Sequence, residues 1–176
     1  GDGNISLKLD SNKLLITPSG KQKAFLKEDE MALCQTNGLV LKGKPSSEAA
    51  MHLCIYNTCK KAKAVVHAHP PYAIAWSLTR QDDTDELPVE KIPELLLSLG
   101  SCPLVPYAVP GTKDMARVLK AFLPNNRAFI LSKHGALAWG ESLEEALGGI
   151  ERIEHAAKIL AISETLGGAR KLSEQN

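Results

Sequence analysis

The period of the apolar positions changes several times along this chain, and each change marks an element. Ile5–Leu9 alternates apolar and polar residues, Leu14–Thr17 is a second short apolar run, and Asp10-Ser11-Asn12 between them has turn chemistry. The two runs predict a hairpin. Glu28–Glu30 reads as a short acidic turn at the surface. Met31–Gln35 and Leu39–Leu41 flank Thr36-Asn37-Gly38, whose Asn-Gly pair is a strong signal for a second hairpin. Lys44-Pro45-Ser46-Ser47-Glu48 leads into a helical stretch to about Lys60, with a serine as N-cap and Glu48 in the first turn. That helix feeds the β-branched strand Ala64–His69, which Pro70 and Pro71 stop because neither carries an N–H.

In the second half, Pro71–Thr79 has helical spacing, with Ile74, Trp76 and Leu78 as packing candidates, and Gln81–Glu86 is a polar, acidic loop. Leu87–Gly100 holds Pro88 and Pro93 beside Leu95-Leu96-Leu97, so it is partly buried but irregular, and its periodicity leaves the element type open. Leu104–Tyr107 reads as a strand. Val109-Pro110-Gly111-Thr112 turns into a helix over about Lys113 to Phe122, with Met115, Val118, Leu119 and Phe122 as its apolar stripe. Pro124-Asn125-Asn126 ends it. Ala128–Leu131 and Ala136–Trp139 are apolar strands joined by Ser132-Lys133-His134-Gly135. Ser142 and Glu145 predict a capping box for a last long helix, whose inner face is Leu143, Ala146, Leu147, Ile150, Ile153, Ala157 and Leu160. Gly167-Gly168 ends that helix before a polar tail.

Composition narrows the class. The 176 residues make one domain, 1–176, large enough for a core without disulfides or a structural metal. Hydrophobic content of 44% and charged content of 23% are those of a soluble globular protein. A net charge of +1, with no clustered Lys and Arg, argues against a nucleic-acid surface. Cys34, Cys54, Cys59 and Cys102 form no C-x-x-C, and neither a signal peptide nor a long apolar span is present, which points to a reduced, cytoplasmic setting with no membrane partner. The chain opens on Gly-Asp-Gly-Asn-Ile-Ser with no initiating Met and no helix before the first strand, so a preceding segment is expected.

The candidate chemistry sits at His67-Ala68-His69. Side chains at i and i+2 of a strand share a face, so both imidazoles converge at the strand mouth, where they are either ordinary strand-end histidines or ligands of a divalent metal. A third ligand decides, and His134 is the candidate: it lies at a junction between strands, next to a glycine that lets backbone approach closely. His155 sits among charged residues of the last helix and reads as surface or interface. Thr17-Pro18-Ser19-Gly20 is either a hydroxyl-lined cradle for a phosphate oxygen or an ordinary turn. Glu48 and His52, four apart, share a helix face beside N–H groups that favour anions, with simple capping as the other reading.

Taken together, the order G-x-G-N-I-S, T-P-S-G, P-S-S-E-x-x-x-H, V-V-H-x-H, P-G-T and K-H-G before a capped helix resembles the class II aldolase/adducin family, most closely its fuculose-phosphate aldolase branch. The resemblance spans Gly1 to about Leu160. It implies an α/β, three-layer fold with a central, mostly antiparallel sheet flanked by helices. It implies zinc, or Mn2+, Co2+ or Fe2+, held by His67, His69 and His134, with Glu48 as the catalytic carboxylate that also approaches the metal. Gly3, Asn4, Ser19, Gly20, Ser46 and Ser47 match the family's phosphate-holding positions. The implied reaction cleaves a ketose 1-phosphate to dihydroxyacetone phosphate and an aldehyde through an enediolate, in a homotetramer with sites between subunits. Sugar-phosphate epimerase or dehydratase, keto-acid-phosphate decarboxylase and an adducin-like binding module are the other readings, the last opposed by the three histidines. The branch places a tyrosine near the substrate where this chain has Pro93-Glu94, so Glu94 is a second acid, a mark of a different substrate or reaction, or a local structural charge.

Overall fold

The computed structural model describes residues 3–80 and 85–170. Eight strands form one sheet: β1 Asn4–Lys8, β2 Lys13–Ile16, β3 Ala32–Gln35, β4 Val40–Lys42, β5 Ala64–Ala68, β6 Leu104–Val105, β7 Ala128–Leu131 and β8 Gly135–Gly140. Their order across the sheet is β4-β3-β2-β1-β5-β8-β7-β6, and every pair is antiparallel except β6 with β7. Among the described residues, five α-helices cover it: α1 Ala49–Thr58, α2 Pro71–Leu78, α3 Pro93–Leu99, α4 Lys113–Leu119 and α5 Leu143–Thr165. The expected mixed α/β architecture with a mostly antiparallel central sheet is what the chain adopts.

Period-two alternation splits the core between the two faces of the sheet. Ala64 and Val66 of β5 and Ala136 and Ala138 of β8 pack with Ala146, Ile150, Ile153 and Ala157 of α5, together with α2 and α3 residues. Val65, Leu137 and Trp139 point the other way and pack with Met51 and Ile55 of α1 and Met115 and Leu119 of α4. Strands buried on both faces need apolar residues at successive positions, which is why β5, β7 and β8 read as near-continuous apolar runs. His67 is the polar exception, and it lies on the α1 and α4 side with Val65.

Several boundaries differ from the sequence expectation for local reasons. The strand expected over Leu104–Tyr107 stops at Val105, since Pro106 has no N–H for the ladder. Leu87–Gly100 resolves into a 3-10 turn, Val89–Lys91, and then α3, which Pro93 opens at its first turn. The helix expected to Phe122 closes at Leu119 and tightens into a 3-10 turn over Lys120–Phe122. Leu78 is 60% exposed instead of packed; Ala73, Trp76 and Ser77 are the buried positions of α2. Leu143 and Leu147, expected on the inner face of α5, are exposed. The capping box of α5 is half formed: the Glu145 N–H donates to Ser142 Oγ at 3.2 Å, but Glu145 Oε2 accepts from the Glu141 N–H at 2.8 Å, one residue earlier than a box requires. The loop expected over Gln81–Glu86 and the terminal polar tail lie largely outside the described residues.

Adjacent glycines of α5 separate two opposing effects. A Cβ on Gly149 would come within 2.7 Å of the Ala138 Cβ on β8, whereas one on Gly148 would meet only the flexible Arg152 side chain at 3.3 Å. Alanine gains roughly 1 kcal/mol over glycine inside a helix, and overpacking a tight core costs about 1–3 kcal/mol. Gly148→Ala should therefore be neutral or slightly stabilising and Gly149→Ala net destabilising, as read by urea unfolding midpoints.

Candidate active site

His67 is placed by the middle of the sheet. β5 is hydrogen-bonded on both sides, with His67 opposite Asn4 of β1 and Leu137 of β8. Two glycines let the backbone close around it. A Cβ on Gly3, whose φ is 79°, would fall 2.3 Å from the His67 carbonyl oxygen; one on Gly135 would fall 2.4 Å from the Ala68 oxygen and 3.0 Å from ring atoms of both His67 and His69. His134 comes from the turn between β7 and β8. Lys133 adopts the left-handed region at φ 58°, and its N–H donates to Ser77 Oγ at 3.0 Å, so buried Ser77 on α2 pins the turn that aims His134 inward.

The three rings form a nearly equilateral group with centroids 4.7, 4.9 and 5.0 Å apart, and their ligand atoms all lie within 4.8 Å of one another. His67 Nδ1 is 2.8 Å from the Ala136 carbonyl oxygen, which accepts only, so the Nδ1 carries the proton. Burial pushes the His67 pKa down to about 4, against the pull of Glu48, so the ring is neutral at pH 7 and its Nε2 is a bare lone pair. That lone pair faces His69 Nε2 at 3.0 Å and Glu48 Oε2 at 3.4 Å, while Glu48 Oε1 lies 3.1 Å from His134 Nε2. Imidazole nitrogens and a carboxylate converging in this way, with one imidazole locked by a backbone carbonyl, are the ligand set a divalent metal takes. His134 Nδ1 is buried with no hydrogen-bond partner among the described residues.

Glu48 is not inside the first turn of α1. It is the N-cap residue itself, with φ −97° and ψ 11°, and its side chain does not cap the helix. Ser46 Oγ instead accepts from the Glu48 N–H at 3.3 Å, leaving the carboxylate to turn toward the histidines. Burial raises the Glu48 pKa, but hydrogen bonds from His134 and Asn4 and the charge of nearby imidazoles outweigh it and hold the pKa at about 2.

The loops expected to hold phosphate are stitched together beside Glu48. The Ser19 N–H donates to the Lys44 oxygen at 3.0 Å, the Ser46 N–H donates to the Thr17 oxygen at 3.1 Å, and Pro18 bridges Pro45. Gly20, at φ 77°, and Ser47 are exposed, and Gly111 packs so closely that a Cβ there would touch Ser47 at 3.4 Å. Asn4 departs from its expected role: its Nδ2 donates to Glu48 Oε2 at 2.6 Å and its Oδ1 meets His52 Nε2 at 2.5 Å, so its amide is committed inside the protein. Glu94 stands exposed in the first turn of α3, outside the site's hydrogen-bond network, and His155 is exposed on α5. Sequence reasoning missed Ser6, Tyr56 and Ser77. Ser6 is two residues from Asn4 on one strand face and Tyr56 is four from His52 on one helix face, spacings that would have flagged both.

A family model for the class II aldolase and adducin N-terminal domain matches residues 1–161. The chain belongs to that family. Among class II aldolase relatives, the 3-oxo-tetronate 4-phosphate decarboxylase of Escherichia coli K12 is 37% identical over 161 residues, covering 91% of this chain and 76% of the relative. The L-fuculose phosphate aldolase of Methanococcus vannielii is 38% identical over 157 residues, covering 89% and 82%. The crystal structure of L-fuculose-1-phosphate aldolase from Thermus thermophilus superposes with a TM-score of 0.79 at 32% identity, covering 97% of this chain and 87% of that one. Members of this family typically depend on a divalent metal, and the three histidines fit one. Among the described residues, no helix is long and apolar enough to cross a membrane.

The buried titratable groups set the acid limit of stability. Burial lowers the pKa of His52 to about 3, with His67 adding to the shift, and that of His67 to about 4, from an ordinary 6.5. Unfolding frees both imidazoles to bind protons sooner, so below pH 6.5 the unfolded chain holds more protons and stability falls with acidification. Glu48, low at about 2 against 4.5, adds a loss of the same sign below pH 4.5. In chelator, the melting temperature should be steady near neutrality and fall continuously from about pH 6.5 to pH 4; calorimetry that finds it flat or rising there contradicts this assignment.

Proposed function

We propose that this class II aldolase-family chain is a divalent-metal-dependent carbon–carbon lyase that releases dihydroxyacetone phosphate. The observation that carries the reading is the convergence of three imidazoles within 4.8 Å, with a low-pKa carboxylate 3.1 Å from one and 3.4 Å from another. His67, His69 and His134 would hold the metal, zinc by preference for an all-nitrogen set, with Glu48 at its edge. When bound, the metal supplies a Lewis acid that polarises the ketone and stabilises developing negative charge.

The protein's own groups do the rest. Ser19, Gly20, Ser46 and Ser47 offer hydroxyl and N–H donors to the phosphate, fixing the carbon chain so that the reacting carbon lies at Glu48. Gly3, by its close backbone approach, shapes the same wall; Asn4 contributes through Glu48. In a 3-oxo acid 4-phosphate, the bond from the carboxylate carbon to the adjacent carbon breaks, its electron pair forms the enediolate, and carbon dioxide leaves. Glu48 then delivers one solvent-derived proton to that carbon. In a ketose 1-phosphate the same enediolate forms as an aldehyde leaves, and the proton lost by the substrate hydroxyl balances the one gained by carbon.

Decarboxylation is the first reading, supported by relatives at 37% identity named for that reaction. Aldol cleavage is the second, supported by the Ser46-Ser47-Glu48 motif and the archaeal aldolase at 38%. We infer from the same resemblance a cytoplasmic homotetramer with sites between subunits.

One experiment addresses the shared step. Dihydroxyacetone phosphate incubated with metal-loaded protein in D2O should exchange a carbon-bound hydrogen, because the ionised Glu48 is set to remove it. Glu48→Gln should keep the metal and lose about 10²–10⁴-fold in exchange rate, the usual contribution of a positioned acid–base group. Metal loss in that variant would make Glu48 chiefly a ligand, and absence of exchange in the wild type would overturn the lyase reading. Release of dihydroxyacetone phosphate from 3-oxo-tetronate 4-phosphate, but not from L-fuculose 1-phosphate, selects decarboxylation; the reverse selects aldol cleavage.

A further inference from the structure

Behind Glu48 runs a chain of buried polar side chains that the chemistry above does not use. Asn4 bridges Glu48 and His52; His52 Nδ1 lies 2.7 Å from Ser6 Oγ, and Ser6 Oγ lies 2.8 Å from the Tyr56 hydroxyl. His52 and Ser6 are fully buried, Asn4 and Tyr56 nearly so. The strands explain the assembly: Asn4 and Ser6 occupy alternate positions of β1 on the α1 side, while His52 and Tyr56 are one turn apart on α1.

We infer that His52, Ser6 and Tyr56 are positioning residues, a one-way donor chain that locks the Asn4 amide so that its NH2 holds the Glu48 carboxylate in place. Each link is forced by the one before it. The ionised carboxylate only accepts, so Asn4 presents nitrogen to Glu48 and oxygen to His52. That oxygen only accepts, so His52 Nε2 carries the proton. His52 is neutral in this buried position, so its Nδ1 is bare and accepts from the Ser6 O–H. Ser6 has then spent its single proton, and its oxygen accepts from the Tyr56 O–H. Turning the Asn4 amide over would set oxygen against carboxylate and N–H against N–H, two repulsive contacts at a buried amide. Glu48 Oε2 is thereby anchored, and Oε1 stays directed at His134.

The inference rests on the lyase reading only for its kinetic consequence, so two measurements separate the claims. In ¹⁵N-labelled metal-loaded protein, His52 should show the Nε2–H tautomer, and Ser6→Ala, which removes the donor to Nδ1, should shift its Nδ1 resonance toward a non-bonded nitrogen. Finding the Nδ1–H tautomer in the wild type overturns the relay whatever the enzyme does. For catalysis, His52→Leu leaves the Asn4 oxygen without a donor and should slow deuterium exchange into dihydroxyacetone phosphate by roughly 10–100-fold, the usual range for partners of site ligands. The fall should be in the turnover constant more than in the Michaelis constant, at unchanged metal content. His52→Gln offers an N–H2 to Asn4 and an oxygen to Ser6, and should recover most of the rate. If His52→Leu does not fold, Ser6→Ala is read in its place against the same exchange rate, expected several-fold down. Exchange in folded, metal-loaded His52→Leu equal to wild type, or His52→Gln no better than His52→Leu, rejects the positioning role. A wild type silent in exchange overturns the lyase assignment instead and leaves the tautomer to decide the relay.

Discussion

Three imidazoles and a carboxylate share one small pocket, and the rest of the structure holds them there. His67 Nε2, bare because Nδ1 is tied to the Ala136 carbonyl, looks at His69 Nε2 and at a carboxylate oxygen of Glu48. Fixing four polar side chains at such close range costs conformational entropy, so the group forms only where stiff elements impose it. Here the stiffness comes from β5, hydrogen-bonded on both sides, and from backbone packed so close at Gly3 and Gly135 that no side chain fits. The glycines that look like loop punctuation in the chain are positions where stability and the site make the same demand.

The two faces of the sheet divide the work. On one, small residues of β8 let α5 lie close, and its buried side chains contribute apolar burial with no polar group at stake. On the other, α1 and α4 cover the same strands but leave room for His67, Asn4, Ser6 and Glu48. Alternation along β5 sends Val66 to the first and His67 to the second, so one five-residue strand serves both. Ser77 links them: it sits buried on α2, beneath the stabilising face, and its hydroxyl receives the Lys133 N–H in the turn that presents His134.

Glu48 shows how a helix terminus becomes chemistry. An N-cap side chain ordinarily turns back onto its own helix. Ser46 takes over a neighbouring backbone donor, the Glu48 carboxylate swings out to His134 and Asn4, and the α1 residues one and two turns further on support it through Asn4. Hydrogen bonds from His134 and Asn4, with the nearby imidazoles, hold the acid ionised.

The amino-acid sequence determined the elements whose cause is local. The Asn37-Gly38 hairpin, the proline stop after His69, the three histidines with their glycine and the order of motifs that marks the family were all legible, since each depends on backbone preferences or residue spacing within a few positions. Strand limits at Pro106 and the helix inside Leu87–Gly100 were less so, because pairing and burial override short apolar patterns. Tertiary structure alone decided that Asn4 faces Glu48 and His52 instead of an open phosphate loop, that Glu48 caps the helix without bonding to it, and that Ser6 and Tyr56 stand behind the site. Those facts turn on which side chains from β1, α1 and β5 meet across 44 to 50 residues of chain. No local pattern encodes such a meeting; it exists only once the sheet has brought the strands into register.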